Sequence, residues 1–112
     1  MYEAFKKKEL WIDLVEVAPQ PGNDVLGSDK RGASVNVIAL ASSQDDFKRQ
    51  ICASLTKLGL NLVEFENPGP FSKRISEHQI APDLTELAKN VKRDGILGFG
   101  TFHTFPLKQK PK

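Results

Sequence analysis

Apolar and polar positions change their period several times along this chain, and each change marks an element. Over residues 10–17, Leu10, Ile12 and Leu14 alternate with Trp11, Asp13 and Val15, the period of two expected of a pleated strand. The neighbouring apolar pair Leu14 and Val15 predicts either cover on both faces or a bulge. Residues 34–41 place Val35, Val37 and Ala39 on one face and Ile38 and Leu40 on the other, which predicts a central strand. Residues 42–58 switch to helical spacing, with Phe47, Ile51, Leu55 and Leu58 in one stripe and Cys52 beside it. Ser43 and Asp46 fit a capping box at its start, and Gly59 suits a left-handed cap at its end.

Residues 60–66 read as another strand, with Val63 and Phe65 sharing a face with Asn61, and Leu62 sharing the other with Glu64 and Glu66. The turn signal Asn67-Pro68-Gly69-Pro70 closes it. Residues 71–78 predict a short helical turn, with Phe71 and Ile75 four apart. A longer helix over 82–93 carries the stripe Leu84, Leu87, Ala88 and Val91, with Pro82 in the first turn and Gly95 as its stop. Residues 96–105 predict a final strand, in which Gly98 and Gly100 mark a bulge or a close backbone approach.

The order is β-β-α-β-α-β. Helical links between the second, third and fourth strands allow parallel crossovers. The expected fold is α+β: a two-layer sandwich with a mixed four-stranded sheet and two amphipathic helices packed on one face. Such a sandwich leaves its other sheet face partly bare. Residues 18–33, rich in proline and glycine, predict a long loop in which Val25 and Leu26 interrupt the polar run.

Composition narrows the class without naming a function. The 112 residues are room for one domain spanning 1–112, and 39% hydrophobic with 27% charged residues is ordinary globular usage. No apolar run reaches membrane-helix length, and residues 1–8 are polar, so a cytoplasmic chain with no membrane partner is expected. Cys52 is the sole cysteine, which excludes an internal disulfide. The net charge of +2 is unevenly placed: the last seven residues carry Lys108, Lys110 and Lys112 without an acid, and Lys6, Lys7 and Lys8 stand near the start. Residues 1–8 and 106–112 therefore read as basic tails around a body, residues 10–105, with 10 basic and 12 acidic groups.

Candidate chemistry is sparse. Cys52, His78 and His103 lie on different elements without metal-ligand spacing, so neither a metal site nor any cofactor is expected. Cys52, mid-helix beside the apolar stripe, reads as a small structural hydrophobe. Glu64 and Glu66 share a strand face, the pattern of a strand passing from core to solvent. Gly95, Gly98 and Gly100 follow a helix and enter a strand, the reverse of a phosphate cradle. Gly98-Phe99-Gly100-Thr101-Phe102 resembles the segment that begins the DNA-binding sheet of HU-type histone-like proteins. That family places two helices ahead of it and a long basic β-arm behind it. Here strands precede it and only residues 106–112 follow, so no residue role carries over.

Three functions remain in view. The favoured one is a non-enzymatic protein-binding module (an adaptor, inhibitor or immunity-type regulator). It would act through the 18–33 loop and an exposed sheet face, with Trp11, Val25 and Leu26 as anchors and Lys30 and Arg31 giving polar specificity. The alternative is nucleic-acid binding through Phe99, His103 and Phe105 on one strand face, flanked by the basic tails. The third is a small-ligand binder or enzyme centred on His103, with Glu64 or Asp13 near it. Residues 10–17 contain no internal lysine or proline. If that strand is an edge, a homodimer with Trp11 at or near the contact follows.

Overall fold

A computed structural model describes residues 8–20, 30–77 and 79–106. The elements are β1 (Glu9–Pro19), β2 (Lys30–Ala41), α1 (Gln44–Lys57), β3 (Leu60–Phe65), β4 (Gly69–Pro70), α2 (Phe71–Glu77), α3 (Pro82–Asp94), β5 (Gly98–Phe99) and β6 (His103–Pro106). The class is α+β. The sheet runs β3-β1-β2-β5, with β4 also on β1 and β6 also on β2, which makes six strands rather than four. Every pairing is antiparallel, so the expected mixed sheet is corrected. The helices do not carry the chain to a parallel neighbour. They return it to opposite margins of a central β1–β2 hairpin.

That hairpin is the frame. Its register runs from Glu9 opposite Ala41 to Val17 opposite Ala33. Of the stretch read as an 18–33 loop, residues 18–19 belong to β1 and 30–33 to β2, while residues 21–29 lie outside the described residues. Ladder pairing overrides the weak local preference of Gly32 and Ala33. Trp11, Val15, Val17, Val35, Val37 and Ala39 fall on one face by parity, with Phe47, Ile51 and Leu55 of α1 packed on them. Leu10, Ile12, Ile38 and Leu40 fall on the other, with Phe71 of α2 and Ala88 and Val91 of α3. The helices thus divide between the two faces, and the expectation of two helices on one face with a bare apolar face opposite is corrected. An apolar strand pair needs cover on both sides, and each fully buried aliphatic side chain gains about 1.5–3 kcal/mol by leaving water.

Local signals set the helix ends. Asp46 N–H donates to Ser43 Oγ (3.1 Å), and the Asp46 carboxylate accepts from Ser42 N–H (2.9 Å). The Ser42 amide first, then the Gln50 and Ser42 side chains, hold the Asp46 carboxyl below its usual range. Gly59 and Gly95 follow α1 and α3 at φ of 78° and 75°, left-handed values that favour glycine. Leu58, read as part of the buried stripe, is 41% exposed because it caps α1 rather than facing the sheet. Cys52 is also exposed, so its reading as a small structural hydrophobe beside the stripe is corrected.

Two strands depart from strict alternation. Glu16 pairs with Glu64 but Val17 pairs with Leu62, leaving Val63 as the extra residue of a bulge on β3. The bulge puts Leu60, Leu62 and Phe65 together with the α1-side core and turns Val63 out, 53% exposed. At the far margin the predicted strand 96–105 breaks into β5 and β6. A Cβ on Gly98 would lie 2.6 Å from Leu87 Cδ1, so α3 seats directly on bare backbone. Gly100 N–H then donates to the Asn36 carbonyl (2.7 Å), tying the break to β2.

Candidate functional site: a groove between α2 and α3

The Asn67–Pro70 turn sets α2 on the sheet. β4 lies against β1, with Pro70 opposite Trp11 and Gly69 opposite Ile12, which delivers Phe71 onto the β1–β2 surface. Phe71 is 8% exposed, whereas Ile75, one turn later on the same helix face, is 51% exposed. The exposure has a structural cause. α3 covers Ile12 and Ile38 but leaves the ends of the hairpin, Leu10 and Leu40, beneath a gap. The gap is a groove of about 360 Å³ with Leu10, Leu40 and Phe71 lining its depth, Ile75 beside them, and Lys8, Glu9 and Lys92 also on its lining. Gln50 Nε2 donates to the Leu40 carbonyl (2.8 Å), so α1 fixes this end of β2 from the opposite face. The groove offers apolar contact beside charged groups.

The most buried ionisable group among the described residues lies elsewhere. Asp13 is 1% exposed on β1, at the place where the β1 edge passes from β3 to β4. Its Oδ1 accepts from Asn67 N–H (2.7 Å), while Arg74 of α2 donates to the Asn67 carbonyl (2.7 Å) and Glu66 N–H donates to the Leu14 carbonyl (3.1 Å). The carboxylate thereby stands in for a strand partner that the turn withdraws. Burial raises its pKa above the usual carboxylate value, opposed first by the Asn67 amide, then by the Leu14 amide and the nearby charge of Arg74. Asp13 Oδ2 and Trp11 Nε1 are buried without hydrogen-bond partners among the described residues. A second groove of about 360 Å³ adjoins this junction, lined in part by Asn36, Glu66 and Arg74.

The structure separates the residues singled out from sequence. Trp11 is half-buried beneath α1, its ring 6.1 Å from that of Phe47 at an interplanar angle of 29°, so it packs on the core rather than standing on a free surface. β1 is paired on both sides, so it is not an edge, and the homodimer conditional on an edge loses its premise. The actual margin, β3, is short and bulged, two features that blunt edge pairing. Val25 and Leu26 lie outside the described residues. Lys30 and Arg31 belong to β2, with Lys30 opposite Pro106, and their side chains lie outside the described residues.

Phe99 is partly buried against the α1-side core, its ring centroid 5.9 Å from that of Phe102. His103 is exposed on β6 opposite Ser34, and Phe105 stands opposite Gly32 with its side chain outside the described residues. His103 and Glu64 sit on opposite margins of the sheet, three strand spacings apart, or roughly 14 Å. Asp13 faces the Asn67 junction on the far side of β1 from β2. The proposed cluster around His103 is therefore not assembled. Among the described residues, no group of three or more His, Cys, Asp or Glu side chains is placed to hold a metal ion. No described helix is long and apolar enough to cross a membrane.

The α2–α3 groove was not anticipated. Its one local signal is the Phe71/Ile75 pair, which shows a helix face but not what lies beneath it. Comparison with known proteins returns no matching family model, no matching curated protein and no matching solved structure.

Proposed function

We propose that this chain is a non-enzymatic protein-binding domain, an adaptor, inhibitor or immunity-type regulator, that docks its partner on the α2–α3 face. The supporting observation is the groove itself: Ile75, half exposed, stands over a floor of Leu10, Leu40 and Phe71 that no element of the described chain covers. An apolar anchor site ringed by polar groups is the usual centre of a protein interface. The site moves from the loop and sheet face expected from sequence to a helix pair, because both apolar sheet faces already carry helices. Val25 and Leu26, the anchors expected from sequence, enter the test as the alternative.

The test compares three immobilised proteins: wild type, Ile75→Asp, and Val25→Ser with Leu26→Ser. Any protein retained is purified and mixed with each variant, and complex formation is measured by sedimentation. The expected result is a defined complex with wild type and with the loop variant, weakened at least tenfold by Ile75→Asp. Ile75 is exposed, so that variant keeps the wild-type circular dichroism and melting temperature. A complex indifferent to Ile75→Asp and lost in the loop variant would return the interface to the loop.

A further inference from the structure

Resting on that reading, we infer that the groove takes a peptide segment in which a large apolar side chain is flanked by acidic residues. Two features of the groove support this. Its depth is lined by Leu10, Leu40 and Phe71, with no charged group from the sheet interior, so the inserted group is apolar. Its charged lining is Lys8 and Lys92 against Glu9, a net of +1, so the groups beside the inserted side chain are acidic. Lys92 lies in the last turn of α3, where a cation is already favoured by the carbonyl end of the helix, and stays exposed there. A volume of about 360 Å³ is at the lower end for ligand sites, enough for one or two side chains. The groove is open along the surface, which suits a segment that stays attached to a larger partner more than a free acyl chain.

The experiment titrates the isotopically labelled full chain with three probes and follows backbone amide shifts. The probes are an acetylated, amidated Glu-Leu-Phe-Glu peptide, its Lys-Leu-Phe-Lys counterpart, and sodium octanoate. The acidic peptide is expected to shift Leu10, Leu40, Phe71 and Ile75. Two exposed ion pairs make it between about twofold and thirtyfold tighter than the basic peptide, and added salt narrows the gap. Lys92→Glu, an exposed substitution, reduces or reverses that preference while leaving the spectrum otherwise that of the folded protein.

Equal binding of the two peptides overturns the charge inference and leaves apolar docking intact. Octanoate binding at the same residues as tightly as the acidic peptide overturns the peptide assignment in favour of an acyl ligand. No shift in the millimolar range overturns the inference. Continued loss of the partner complex in Ile75→Asp would then show that the docking reading survives it.

Discussion

Replacing Gly98 by alanine tests how α3 is seated on the sheet. The added Cβ would lie 2.6 Å from Leu87 Cδ1, 3.2 Å from Leu87 Cγ and 3.3 Å from Val91 Cγ2, where apolar carbons prefer roughly 3.5–4.0 Å. The Leu87 methyl can swing away, but its Cγ is also crowded. Val91 is β-branched and 2% exposed, so it has little room to yield. Overpacking of this kind costs about 1–3 kcal/mol. Alanine also restricts the unfolded chain, which offsets about 0.4–1 kcal/mol. The expected net loss is about 1–2 kcal/mol, read as a lower urea midpoint at unchanged slope.

Gly69 supplies the control, because a Cβ there meets nothing within 4 Å and its φ is not positive. Gly69→Ala is expected to be neutral or slightly stabilising. Leu87→Ala should then rescue Gly98→Ala: the two losses combine to less than their sum, with a coupling of about 1 kcal/mol, because the new methyl occupies space the leucine vacates. If Gly98→Ala matches Gly69→Ala in stability, or the double variant shows strict additivity, the close approach of α3 to β5 is refuted.

Asp13→Asn keeps an acceptor for Asn67 N–H but cannot ionise. Burial raises the Asp13 pKa in the folded state, so its stabilising contribution is complete below the unfolded value near 3.8 and is lost as pH rises through the raised value. The stability of Asp13→Asn relative to wild type should therefore rise from about pH 3 to about pH 7 in denaturant titrations; a constant difference would contradict a raised pKa. Ser43→Ala removes the acceptor for Asp46 N–H and should cost about 0.5–2 kcal/mol by thermal or urea melting. Cys52 should react with a thiol reagent in the native state near the rate of a free thiol, and Cys52→Ser should change stability by less than about 0.5 kcal/mol; slow labelling would restore it to the core.

The sequence by itself determined what depends on neighbours a few residues away. The Ser43 cap with Asp46, the Gly59 stop, Pro82 opening α3 and Gly95 closing it all appear where the spacing predicts them, because each is a contact within one turn. The α+β class was legible for a similar reason: the strand and helix periods each show within a single element. The glycines at 98 and 100 announced a close approach without saying by what.

Tertiary structure decided the rest. Which face each helix covers depends on where the chain returns to the β1–β2 hairpin, and amphipathic stripes on α1 and α3 are compatible with either face. The β3 phase broke at Val63 because a bulge shifts every later side chain to the opposite face, and a single-strand pattern contains no partner to reveal it. Asp13 reads as one acid among fourteen until Asn67, 54 residues away, donates to it across the β3–β4 junction. The groove is made from Leu10, Leu40, Phe71, Ile75 and Lys92, which belong to four separate elements. Its surface exists only after two strands and two helices have been brought together, because hydrophobic burial is proportional to contact area and takes no account of sequence distance.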